Sequence, residues 1–385
     1  MSAHVKVFFL LVSASLGVQL HAGAINFNFD RYESLFATYK TFDDEISFTL
    51  FTKKDPLFGQ QLQINDLLNF IESDFDATKP TYFITHGWLN NDNSPSCVLI
   101  PNTDSNVIVI DWSLYSTSSS YIGVTHKVKE VGGIVSDMIS WLYSNGLKGD
   151  DVTLIGHSLG AHVMGIAGYK LEQKVKHIVG LDPAMHMYKF ADHSEKLSKH
   201  DAEHVQIIHT NAGYSGYMCP NGHSDFFPNG GSFQPGCCDY NTTLSVRNLR
   251  QLLKEEIECK SCSHGRAIKL FAESITNRFV ATSCPSYLAF KHNACGAEPR
   301  TALMGGLDLD VVTPGTYYLW TGSTKPFSEV SATSVKATPA VVISILFTAV
   351  KNKKSAHSNR CRIFVTNMLQ SRARNYCCNI KNSKA

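Results

Sequence analysis

The stretch VTLIGHSLGAH, residues 152–162, restricts the folds open to this chain more than any other. An apolar run enters a serine that has a glycine two residues away on each side, and the residues that follow have helical character. Strand, tight turn and helix in immediate succession form a nucleophile elbow, in which the serine hydroxyl stands above the edge of a sheet. Gly156 and Gly160 remove the side chains that would clash where strand and helix pack so closely. The same letters also describe a glycine-flanked turn with a small residue at its tip. What Ser158 does therefore depends on what the rest of the chain brings to it.

The surrounding pattern predicts a mostly parallel sheet. ISFTLFT, TYFITHG, NVIVIDW, VTLI, HIVGLD and HVQIIHT read as strands, and the segments 81–87 and 106–112 are apolar enough to be buried on both faces. Between them, residues 127–143 place Val128, Val131, Ile134, Val135, Met138, Ile139 and Leu142 on one helical face, and residues 160–171 are again helical. Strands alternating with helices predict an α/β fold with helices covering the sheet. Residues 211–238 shift to Gly, Pro, Asn and aromatics and read as a long looping excursion. Residues 245–258 form an amphipathic helix pattern with Val246, Leu249, Leu253 and Ile257 on one stripe. That stripe fits either a core-facing helix or, given the cysteines that bracket it, a tethered flap.

With 385 residues, 43% hydrophobic, 18% charged and a net charge of +2, the chain is globular, with room for one large α/β domain or two average ones. No basic patch interleaved with aromatics is present, so nucleic acid is not an expected partner. Lys6 precedes an apolar run at 7–18 and the small residues Ala22, Gly23 and Ala24, which reads as a secretory signal peptide over residues 1–24, cleaved near 22–24. Secretion makes the 11 cysteines disulfide candidates before metal ligands. The lone C-x-x-C at Cys259 and Cys262 has no second pair at zinc spacing, so no metal site is expected. A single sequon at Asn241 marks a surface loop for glycosylation. Residues 329–385 carry an apolar run too short to span a bilayer, a few basic residues and three cysteines, and remain an unclassified tail.

A serine hydroxyl is a poor nucleophile until a histidine takes its proton and an acid orients that histidine. After an elbow the acid and then the histidine are expected downstream. Asp182 ends the strand that follows the elbow's helix, so one crossover puts it at the same end as Ser158 on a neighbouring strand about 5 Å away. Nine of the 16 histidines follow Asp182. His204 and His209 fall in or at the end of a strand and read as structural. His186, His193 and His200 lie on a polar loop near the acid, and spacing leaves them open. His264 is favoured, on a loop beside Cys262 at the opening of a helix. Two N–H donors are also needed for the oxyanion. The amide of Leu159 supplies one, and His86-Gly87-Trp88, after the strand YFITHGW enters, offers the other.

Taken in order, THGW, NVIVIDW, LIGHSLGAH, VGLDPA, DAEHVQIIHTNAG, GHSDFFPNGGSFQPGC, CSHGRA and PGTYYL resemble the secreted pancreatic-lipase family, and within it the insect-type neutral lipases and phospholipases A1. The resemblance implies an α/β-hydrolase fold with a mostly parallel central sheet, a nucleophile elbow and a lid over residues 25–328. It implies a triad of Ser158, Asp182 and His264, with the amides of Trp88 and Leu159 as oxyanion donors. It also implies disulfides Cys237–Cys262 and Cys284–Cys295, with Cys238 and Cys259 as an inner rung. No C-terminal β-sandwich pattern follows, so no colipase is expected as a partner. No cofactor is expected either: in the loop that holds calcium in such enzymes only Asp201 matches a carboxylate ligand, and Ser198 stands where the second would be. The loop 211–222 is short, as in phospholipases of the family, while the lid 238–261 is long, as in triacylglycerol lipases. The expectation is a secreted, extracellular serine carboxylic-ester hydrolase acting on acyl glycerolipids at a lipid interface. Triacylglycerol lipase comes first and phospholipase A1 second. The alternative of another class is a non-catalytic secreted lipid-binding or storage protein.

Overall fold

Short apolar runs rich in β-branched residues pair into an 11-stranded sheet in the computed structural model, which describes residues 46–89, 94–238, 249–307 and 314–329. The expected signal peptide, the sequon at Asn241 and the tail beyond residue 329 lie outside the described residues. In chain order the strands are β1 (Ser47–Phe51), β2 (Gln60–Leu62), β3 (Thr81–Thr85), β4 (Asn106–Asp111), β5 (Val152–His157), β6 (His177–Leu181), β7 (His204–Ile208), β8 (Ser224–Pro228), β9 (Val280–Ser283), β10 (Thr301–Leu303) and β11 (Gly315–Leu319). Their order across the sheet is β10-β9-β11-β8-β7-β6-β5-β3-β4-β1-β2. The run from β11 to β4 is parallel throughout, and an antiparallel pair closes each edge.

Every residue of β5, β6, β7 and β8 is buried, as parallel strands covered on both faces must be. The helices are α1 (Leu67–Glu72), α2 (Ser94–Asn102), α3 (Ser113–Ser116), α4 (Tyr121–Ser144), α5 (Leu159–Lys170), α6 (Leu249–Ser274) and α7 (Tyr287–Lys291). All seven apolar residues expected on the inner face of α4 are buried, and the helix starts where Ser120 Oγ accepts the Gly123 N–H at 3.2 Å. It lies close to α5: a Cβ on Gly132 would stand 2.8 Å from Ile166 Cγ2. On the other face Ala267, Ile268 and Phe271 of α6 join Val179, Leu181, Ile208 and Phe226 in one core. Burial of such side chains stabilises by about 1.5–3 kcal/mol each.

Two elements differ from the expectation. The looping excursion over 211–238 contains β8, whose sequence SDFFP carries too few alternating apolar residues to announce a strand. Its Asp225 is nonetheless accommodated in the interior, because His209 Nε2 lies 2.9 Å from the carboxylate and the Asn221 and Gly222 amides donate to it. The amphipathic stretch is helical from Leu249 and continues without a break to Ser274, so α6 runs well past the end of its apolar stripe at residue 258.

Burial also gives the fold an acid limit. His162, His177 and His204 are buried, and desolvation lowers each imidazole to about 4 from 6.5. The unfolded chain therefore binds these protons first, so the stability they contribute is present above pH 6.5 and is lost as pH falls toward 4. His162 alone accounts for on the order of 3 kcal/mol of this. Asp201 acts oppositely, since burial raises its carboxyl to about 7, and offsets one of the three histidines. Calorimetry should show Tm falling continuously between pH 6.5 and 4, and a constant Tm over that window would contradict the assignment.

Candidate active site

The elbow forms as the sequence requires. Ser158 follows β5 with φ 57° and ψ −118°, a backbone region that residues bearing a Cβ rarely adopt. Its N–H donates to the Leu181 carbonyl at 3.0 Å, and its own carbonyl accepts from Ala161 and Ala184, both at 3.2 Å. The serine side chain makes no capping bond to α5, which leaves the hydroxyl uncommitted to the helix. A Cβ on Gly156 would lie 2.7 Å from the Ala161 nitrogen, and one on Gly160 would lie 2.9 Å from Thr85 Cγ2. The turn exists because both positions lack that atom.

Asp182 stands one residue beyond β6, at the same end of the sheet as Ser158, since His157 pairs with Leu181. It is fully buried and has φ 44°. Burying a carboxylate is costly unless its oxygens are paired. Here Oδ1 accepts the amides of Thr210 at 2.7 Å and Asn211 at 2.9 Å, and Oδ2 lies 2.5 Å from Nδ1 of His264. A side chain on Gly216 would occupy the place of the carboxylate. The His264 side chain is 17% exposed, against none for its acid, so one end of the imidazole reaches the surface.

His264 sits inside α6 rather than on a loop at a helix start. Packing does not require the glycine beside it, since a Cβ on Gly265 would meet nothing within 4 Å. The other histidines that spacing left open lie elsewhere. His193 and His200 pack edge to face at 5.4 Å, and the His186 carbonyl accepts from the Tyr121 hydroxyl at 3.2 Å. His209 is engaged by Asp225 and by the Tyr217 carbonyl, and His204 stacks on His223 at 5.4 Å.

The segment expected to supply the second oxyanion donor abuts the elbow. A Cβ on Gly87 would stand 2.7 Å from Ser158 Cβ and 3.3 Å from the Leu159 nitrogen. Leu159 is the first residue of α5, so its N–H has no partner within the helix. Trp88 is anchored by Nε1 donating to the Ser118 carbonyl at 2.7 Å and by an edge contact with Tyr121 at 5.1 Å. His86 braces the segment: its ring stacks on Trp112, and its nitrogens lie 3.0 Å from the Gly87 carbonyl and 3.3 Å from Asp111. The bond to His86 holds the Asp111 carboxyl well below the usual carboxylate range. Sequence reasoning assigned no side-chain role to His86, Asp111 or His157, although all three fall inside motifs it singled out.

The bridges Cys237–Cys262, Cys238–Cys259 and Cys284–Cys295 are formed, and Arg266 Nη2 lies 3.3 Å from Cys237 Sγ. Cys219 is disulfide-bonded as well. In the loop where calcium would be held, the Ser198 N–H and hydroxyl donate to the two Asp201 oxygens at 2.6 and 2.9 Å. A lone carboxylate, buried and already engaged by serine, does not fit a divalent cation that takes six to eight oxygen ligands.

Residues 26–327 match the Lipase family. The chain belongs to the pancreatic-lipase family. Rat lipoprotein lipase is 35% identical over 271 residues, covering 66% of this chain and 56% of its own length. Mouse inactive pancreatic lipase-related protein 1 is 32% identical over 73% of this chain and 63% of its own. Rat phospholipase A1 member A is 31% identical over 74% and 63% respectively. This lipase-family chain thus spans between a half and two thirds of the length of these relatives. The topology is that of an α/β-hydrolase, and among the described residues no helix is long and apolar enough to cross a membrane.

The glycines of the elbow are a direct test of this packing. Gly160→Ala should cost about 1–3 kcal/mol or more in urea unfolding, because its Cβ meets rigid backbone. Gly265→Ala, in the same protein and also helical, should instead gain up to about 1 kcal/mol. Equal effects at the two sites would contradict the described geometry.

Proposed function

We propose that the chain is a secreted serine carboxylic-ester hydrolase acting on acyl glycerolipids at a lipid interface, with triacylglycerols as the first substrate class. The observation that carries this is the buried Asp182 bonded to His264 beside the elbow that presents Ser158. Ser158 Oγ attacks the ester carbonyl while His264 Nε2 takes its proton. Asp182 fixes Nδ1 as the protonated nitrogen and stabilises the imidazolium. The amides of Leu159 and Trp88 receive the oxyanion. His264 returns the proton to the leaving alcohol, and water, activated by the same imidazole, releases the acid. No cofactor enters this sequence.

The interfacial part of the reading draws on exposed apolar side chains in the loops and helices beyond the parallel strands that end at Ser158. Leu89, Leu114, Ile122, Met187 and Phe190 lie there, and Ile257 lies two helical turns before His264 on α6. Phe190 is 82% exposed, an unfavourable state in water unless the rim meets another apolar phase. Disulfide bonds on both sides of His264 support secretion into an oxidising compartment. Phospholipase A1 is the second reading, favoured by the likeness to phospholipase A1 member A and by the short loop 211–222.

A relative named inactive makes turnover the first thing to measure. Ser158→Ala should lower ester hydrolysis by about 10³-fold or more with Tm retained, and a fluorophosphonate should label wild type at Ser158 only. A chain that binds lipid without turnover or labelling would be the non-catalytic alternative. Product analysis on emulsified triolein against phosphatidylcholine vesicles should favour triolein. Phe190→Asp should lower the triolein rate about tenfold more than the rate on a dissolved short-chain ester. Equal losses on both substrates would remove the interfacial role of the rim.

A further inference from the structure

His157 lies one residue before Ser158 and takes no part in the proton transfers described above. It ends β5, is 6% exposed, and its ring centroid is 4.5 Å from that of His264 at a tilt of 47°. Its Nε2 lies 3.2 Å from the backbone carbonyl oxygen of His264. The hydroxyl of Thr210, just past β7, reaches the same oxygen at 3.5 Å. A carbonyl inside an α-helix already accepts the amide four residues on. Two side-chain donors from two different strand ends converging on it are therefore additional to what the helix needs.

The hydrogen bond that Asp182 makes to the His264 side chain acts at one atom, Nδ1. A single bond leaves an imidazole free to swing about that nitrogen, and the opposite nitrogen must stay aligned with a serine on a different element. We propose that His157 is a positioning residue for His264: its Nε2–H ties the residue's carbonyl to the strand that carries Ser158, and its ring backs the His264 imidazole. The assignment rests on the ester-hydrolase reading for its kinetic consequences, but not for the contact itself.

The chemistry of the pair is consistent with this. A carbonyl only accepts, so Nε2 of His157 carries the proton in the neutral ring. Burial first, and then the neighbouring His264, keep the His157 imidazole well below its ordinary pKa, and His86 adds to the same effect. When His264 takes the serine proton, its imidazolium faces an uncharged ring rather than a second cation.

The test compares His157→Phe, which keeps a buried ring and loses the donor, with His157→Gln, whose amide nitrogen restores a donor near the Nε2 position. On a dissolved p-nitrophenyl ester, Phe should lower kcat by about 10- to 100-fold with KM changed by less than about twofold. Gln should recover kcat to within about threefold of wild type, by analogy with the restored hydrogen bond. The far-downfield proton resonance of His264 Nδ1 should be lost or displaced in Phe and present in Gln. An unchanged resonance and kcat in a folded Phe variant would overturn the proposal, as would Phe and Gln losing kcat equally. If Phe does not fold, Asn replaces it: too short to reach the carbonyl, it should lose kcat and the resonance where Gln keeps both, and equal behaviour would overturn the proposal. A wild type inert toward ester and fluorophosphonate, with the resonance responding as described, would refute the hydrolase reading and leave the positioning role standing.

Discussion

The close crossing of β5, α5 and the segment after β3 is the constraint on which the rest depends. Gly87, Gly156 and Gly160 each lack the one atom that would drive these backbones apart, and Ser158 is held at positive φ by bonds to Leu181, Ala161 and Ala184. Strain of this kind costs about 1–3 kcal/mol and persists only where the surroundings over-determine it. Here the determining groups are the sheet itself, through β6, and the helix that starts at the serine. The arrangement brings the backbone at Gly87 against Ser158 and the Leu159 nitrogen before any side chain is chosen.

Around that point the protein spends polar groups in two different ways. The Asp182 carboxylate has partners for both oxygens, and the imidazole it holds reaches toward solvent. His209 and Asp225 form a second buried histidine–carboxylate pair, stacked on Phe227 at 4.2 Å and closed off completely. Their residue types are the same and their separation is similar. What separates the two pairs is access: the His264 side chain is partly exposed, whereas His209 is fully buried and the Tyr217 carbonyl takes its other nitrogen.

That contrast explains how much was legible in the sequence. Alternating apolar strands and helices, and the short-range logic of strand, turn and helix at residues 152–162, are local properties, and they correspond to β3 through β7, α4 and α5. Asp182 followed from one crossover. His264 did not follow from spacing, because its selection over His186, His193 and His200 is made by a bond across 82 residues of chain. β8 was missed because Ser224 and Asp225 are polar letters buried by tertiary partners. The length of α6 was missed because its apolar stripe was followed only to residue 258 and His264 was read as opening a second helix, whereas the residues that carry the helix on, Ala267, Ile268 and Phe271, are held by tertiary packing.

The continuity of α6 has a mechanical meaning. One rod carries the exposed Ile257 near one end, His264 in the middle and core residues at the other, and an α-helix of its 26 residues is about 39 Å long. Unbraced, a push on the outer turns would be delivered to the imidazole as a tilt. Cys259 and Cys262 are bolted to Cys238 and Cys237 at the point just before His264, so the two bridges act as a clamp at the fulcrum. The outer arm can take load from its surroundings while the inner arm stays fixed to the sheet.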